Sequence, residues 1–141
     1  ALIIGMGIEK GISEKVYDII APDQATLFYA DPAIEKRYVE NVLINNHGLI
    51  NKTPIRFLKG FPILDTRMIY KMLIDTIMPL RQDYNIVIVP QGPKIFSLLS
   101  MIFQISYPDI DLFYPSYKIK QIKDRSPNNT LMCIDLEFDT E

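Results

Sequence analysis

The run Ile86-Val87-Ile88-Val89 is apolar and β-branched at every position. Side chains alternate across a strand, so a strand apolar on both faces must be covered on both. That requirement rules out an edge strand and a sheet with one wet face, and it asks for helices above and below. Pro90-Gln91-Gly92-Pro93-Lys94 follows, a tight turn holding glycine and lysine. Ile95–Ser106 then reads as an apolar helix, begun by Pro93 and ended by Pro108. A strand, tight turn and helix in this order set free backbone N–H groups and a cation just past a strand end. Open α/β sheets hold anionic ligands there.

The remaining pattern supplies the helices and further strands. Ala1–Gly5 reads as a buried strand running into Gly5-Met6-Gly7-Ile8-Glu9-Lys10-Gly11, a loop with three glycines. Ser13 offers an N-cap for a helix carrying Val16, Ile19 and Ile20, which Pro22 ends. Ala25–Ala30 is the second strand. Asp31-Pro32 predicts the start of a helix to about Asn46, with Asn45-Asn46-His47-Gly48 as its stop and Gly48 as a left-handed cap. Pro54–Leu58 is a third strand. Asp65 caps a helix striped by Ile69, Met72, Leu73, Ile77 and Leu80. Ile110–Tyr114 is a fifth strand, and Leu131–Phe138 alternates as a C-terminal extra strand with a solvated acidic edge. Alternating strands and helices predict an α/β, Rossmann-like three-layer sandwich with a mostly parallel sheet. Right-handed crossovers favour strand order 3-2-1-4-5. That order makes the first and fourth strands neighbours and brings the Gly5–Gly11 loop to face Gln91–Lys94.

Composition limits the functional classes. A chain of 141 residues, 48% hydrophobic and 23% charged, suits one folded domain, here residues 1–141. It opens within a strand, so it reads as a domain cut from a longer protein. The net charge of −2 argues against a partner of duplex nucleic acid. Cys133 and His47 are the only cysteine and histidine, which excludes an internal disulfide, a cysteine zinc cluster and a multi-histidine metal site. No metal or cofactor is expected. No apolar run reaches the ~18 residues of a membrane span, so no membrane partner is expected and the location expected is cytoplasmic.

The candidate ligand-binding residues are Gly7, Gly11, Ser13, Gln91, Gly92, Lys94, Tyr114 and Lys118. Gly5-x-Gly7-x-x-x-Gly11 misses the dinucleotide fingerprint by one residue in its last spacing, and Gly92-Pro93-Lys94 lacks the spacing of a phosphate-binding P-loop. Glycine still admits a ligand to the backbone, and Lys94 supplies charge. Tyr114 and Lys118 lie just past the fifth strand, where an aromatic ring can stack on a base. No pairing of nucleophile and base, or of acid and base, follows from spacing, so no catalytic residue is assigned.

The stretch Val87–Leu99, with the Asp65-Thr66-Arg67 helix start before it and Asp111-Leu112-Phe113-Tyr114 after it, resembles the CARF domains. These are the CRISPR-associated Rossmann-fold sensors of cyclic oligoadenylates. In that family a hydrophobic strand leads into a glycine, threonine, lysine turn and an apolar helix. Here proline stands in place of the threonine, and Gln91-Gly92 in place of a double glycine. The order of elements matches over most of residues 1–115. The resemblance implies a homodimer with paired loops around one nucleotide ligand, a role in antiviral defence, Gly92 and Lys94 on phosphate or ribose, and Gly7–Ser13 as the first-strand loop.

Helix 94–106 carries two apolar stripes. Ile95, Leu98, Ile102 and Ile105 are expected to face the sheet. Phe96, Leu99, Phe103 and Tyr107 are then left to cover a second subunit or to take the C-terminal tail. The expected function is a sensor domain that binds a nucleotide or other anionic small molecule and passes a conformational signal to a partner or a region outside this chain. The alternatives are an enzyme of nucleotide or phosphosugar metabolism, ring nucleases included, and a dimerising scaffold without a ligand.

Overall fold

Parallel pairing of β1 (Leu2–Gly5) with β2 (Ala25–Ala30) on one side and β4 (Val87–Pro90) on the other forms the centre of the sheet. The computed structural model describes residues 1–116 and 131–137. β3 (Leu58–Phe61) adds to β2, and the short β5 (Asp111–Leu112) adds to β4. The result is a five-stranded, all-parallel sheet in the order expected from the sequence, β3-β2-β1-β4-β5. In the register, Ile3 lies opposite Thr26 and Ile88, and Leu2 opposite Ala25 and Val87. Odd and even positions of the central strands therefore serve opposite faces.

Each face has its own core. On one, Ile3, Phe28, Phe61 and Ile88 meet α4 (Thr66–Leu80) and α5 (Lys94–Ser106) through Ile69, Leu73, Phe96 and Phe103. On the other, Leu2, Ile4, Leu27 and Val89 meet Val16 of α1 (Ile12–Ile20), Val42 of α2 (Lys36–Asn45) and Leu49 of α3 (His47–Lys52). Ile88 belongs to the first core and Val89 to the second, which is why this run carries no polar alternate. No helix among the described residues is long and apolar enough to cross a membrane.

Several local expectations are corrected. Ser13 does not cap α1: Gly11, in a left-handed conformation at φ 74°, takes that place, and Ser13 is buried inside the first turn. Asp31 and Pro32 do not start α2. The Asp31 N–H donates to the Phe61 carbonyl at 2.8 Å, so the β2–β3 ladder extends past the expected helix start, and α2 begins at Lys36. Gly48 is no helix stop but lies within α3, whose Lys52 pairs with Glu14 at 3.0 Å and Asp18 at 2.9 Å on α1. Residues 55–57 form a 3-10 turn with Ile55 exposed, so the third strand starts only at Leu58. Asp65 does cap α4, accepting from the Met68 N–H at 2.9 Å.

The two ends of the chain's second half also differ from expectation. Residues 131–137 form no strand, and Phe138 lies outside the described residues. The segment runs beside α4 and α5 instead, where Ile134 and Leu136 join Thr66, Tyr70, Leu99 and Ile102 around a cavity of about 350 Å³. The stripes of α5 are reversed in part: Ile95 and Ile102 pack at the margin of the core, but Leu98 and Ile105 do not face the sheet. Phe96, Leu99 and Phe103 are buried against the sheet side, while Leu98, Met101 and Ile105 are 38%, 43% and 63% exposed. The Phe96 ring lies 5.5 Å from Phe28 and 5.4 Å from Phe61, an aromatic cluster that buries more area than the aliphatic stripe offers. Phe96→Ala is therefore expected to cost about 3–5 kcal/mol in chemical denaturation, and Ile105→Ala less than about 1 kcal/mol. Equal costs would contradict this orientation of α5.

Candidate functional site

β1 and β4 are neighbours, but the helices that follow them leave on opposite faces. α1 packs in the Val16 core and α5 in the Phe96 core. The two loops separate beyond the strand ends, and a cleft of about 460 Å³ opens there. This is the switch point of an open α/β sheet. The first loop contributes Gly7, Ile8 and Glu9, and the second Gln91, Gly92, Pro93 and Lys94. The connection from β2 to α2 forms the facing wall with Ala33, Ile34, Glu35 and Tyr38, and Ile63 adds to it after β3.

The floor is backbone against backbone. A side chain at Gly7 would begin 2.5 Å from the Gln91 carbonyl oxygen, and one at Gly92 would begin 3.0 Å from that of Met6. Only glycine at both positions lets the loops meet this closely. The Gln91 N–H donates to the Gly5 carbonyl at 3.0 Å, carrying the β1–β4 contact into the turn. The Ser13 hydroxyl donates to Gln91 Oε1 at 2.7 Å, tying α1 to the second loop. Asn46 Nδ2 donates to the Gly7 carbonyl at 2.9 Å, and Asn45 Nδ2 to the Ile8 carbonyl at 2.7 Å. The Ser97 hydroxyl donates to the Pro90 carbonyl at 3.0 Å and holds α5 to the end of β4. Each such bond contributes about 1 kcal/mol net, and together they fix the shape of the floor.

Charge is distributed around the rim. Lys94 is exposed at the first position of α5. Glu9 and Glu35 line the same cleft. None of these three side chains has an ion pair among the described residues. At the end of β2, partial burial raises the Tyr29 hydroxyl above its ordinary pKa, and the adjacent Asp31 carboxylate adds to the effect. Partial burial likewise raises the Tyr114 hydroxyl.

Of the sequence candidates, Gly7, Gln91, Gly92 and Lys94 come together on the cleft. Ser13 stands behind it, holding Gln91. Gly11 starts α1 and does not line the cleft, and Tyr114 does not reach it. Lys118 lies outside the described residues. Glu9, Glu35 and Tyr38 line the cleft and Asn45 and Asn46 hold its first loop, positions that pattern reading passes over. Glu9 has no periodic signal, and the Asn pair, which does end α2, gives no sign that its side chains also hold the first loop. The wall at 33–38 is hidden because Asp31-Pro32 imitates a helix start. Among the described residues no group of histidine, cysteine, aspartate and glutamate is placed to hold a metal ion. His47 is exposed and lines no part of the cleft. The chain matches no family model and no curated protein sequence.

Proposed function

We propose that this domain is a sensor that binds a nucleotide or other small anionic molecule in the switch-point cleft and signals by a conformational change. One observation carries the reading. The floor of the cleft is the contact of two glycine-bearing loops from opposite cores, and at its rim stands a lysine without an ion pair among the described residues. A ligand on that floor touches both halves of the fold at once. Displacing either loop moves α1 or α5, because Ser13 and Ser97 bind the helices to the same turn. The volume is ordinary for a small-molecule site. The resemblance of Val87–Leu99 to CARF domains directs the choice of ligand toward nucleotides, cyclic oligoadenylates included.

Calorimetric titration with adenosine monophosphate and with cyclic tetra-adenylate tests the site. A charge-assisted contact is worth about 1.5–3 kcal/mol. Lys94→Ala is expected to weaken binding of the nucleotide that binds by about tenfold or more, without loss of folding. Unchanged affinity contradicts the site. Recovery of the nucleotide intact by chromatography separates a sensor from an enzyme that consumes it.

The outward stripe of Leu98, Met101 and Ile105 on α5 supports a second copy as the partner. Sedimentation equilibrium is expected to give a dimer that Met101→Glu dissociates. A monomeric native protein would contradict it.

A further inference from the structure

We infer that the cleft selects a ligand of low charge, a nucleoside bearing one phosphate rather than a di- or triphosphate, and that Glu9 sets this preference. The inference rests on the nucleotide reading proposed above. The atom nearest to where a Gly7 side chain would begin is a Glu9 carboxylate oxygen, closer than the Gln91 carbonyl. A carboxylate therefore lies beside Gly7, where the two glycine loops meet. Glu35 brings a second carboxylate from the β2–α2 connection, and among the described residues Lys94 is the only cation lining the cleft. Two carboxylates stand against one ammonium, and all three lack an ion-pair partner among the described residues.

One phosphate, with a charge of about −1.5 to −2, fits beside Lys94 and the first turn of α5. A second or third phosphate finds no further cation among the described lining residues. The side chains of Ala33, Ile34 and Ile63 offer it no donor, and Glu9 and Glu35 line the same cleft. Like charges a few ångströms apart against low-dielectric walls repel strongly. Ionised carboxylates only accept hydrogen bonds, so Glu9 and Glu35 suit groups that donate, such as ribose hydroxyls or an exocyclic amine. Ile34, Ile63 and Tyr38 supply the apolar surface for a base.

Competition titrations with adenosine monophosphate and adenosine triphosphate, without divalent cations, on the native protein and Glu9→Gln test this. The native protein is expected to bind the monophosphate at least about tenfold more tightly than the triphosphate. Glu9→Gln keeps the shape and removes the charge, and it is expected to narrow that ratio about fivefold. Glu9 is half-buried, so the substitution leaves the core untouched. Equal or tighter triphosphate binding by the native protein, or an unchanged ratio in Glu9→Gln, overturns the inference and leaves the nucleotide site standing. Failure of both nucleotides to bind overturns the inference, and failure of cyclic tetra-adenylate as well overturns the nucleotide reading.

Discussion

The molecule depends on one pairing, β1 against β4. Leu2 to Gly5 bond in parallel to Val87 to Pro90, while the other edge of β1 takes β2. The chain reaches β4 only after two crossovers on one side of β1, and it must then build outward in the other direction. Right-handed crossovers in opposite directions put α1 and α5 on opposite faces. The loops leaving β1 and β4 cannot close over one another, and the cleft results from topology before any side chain is considered. Gly7 and Gly92 then set how near the loops come at its floor.

The two sides of this opening are held by different means. Beneath α5 the Phe28, Phe61 and Phe96 rings form a continuous aromatic contact, which resists movement of the helix. Beneath α1 the buried core is aliphatic, Met6 and Ile8 of the first loop pack into it, and the side-chain amides of Asn45 and Asn46 hold the Ile8 and Gly7 carbonyls. Asn46 Oδ1 and Gln91 Nε2 are buried without a hydrogen-bond partner among the described residues. Unsatisfied polar atoms cost free energy, and both lie in the network that shapes the floor. A ligand or water that rearranged this network would relieve that cost. Such coupling between occupancy and loop position is what a sensor requires.

The large features were legible in the sequence because they follow from period and order. Ile86–Val89 demanded a doubly covered strand, and the alternation of elements dictated strand order 3-2-1-4-5, which the sheet adopts. The errors share a physical origin. Capping signals are local, and tertiary hydrogen bonds override them. Ser13 was needed by Gln91 and not by the helix start, and Asp31 was held by Phe61 across the sheet. The stripes of α5 were indistinguishable by hydropathy, and only the aromatic cluster decides between them. Glu9 and Glu35 escaped notice because a single glutamate in a loop carries no pattern. Their meaning arises only when distant segments meet at the cleft.

The domain has two helix-covered cores and an opening between its central loops, and Glu9, Glu35 and Lys94 there have no ion pair among the described residues. Backbone amide chemical shifts of the labelled protein, followed during titration with adenosine monophosphate, test the central claim most directly. The account predicts perturbations concentrated at residues 7–9, 33–38 and 91–94. Perturbations centred instead on the polar hollow at 52–57, at the other end of the sheet, or no saturable change at all, would contradict it.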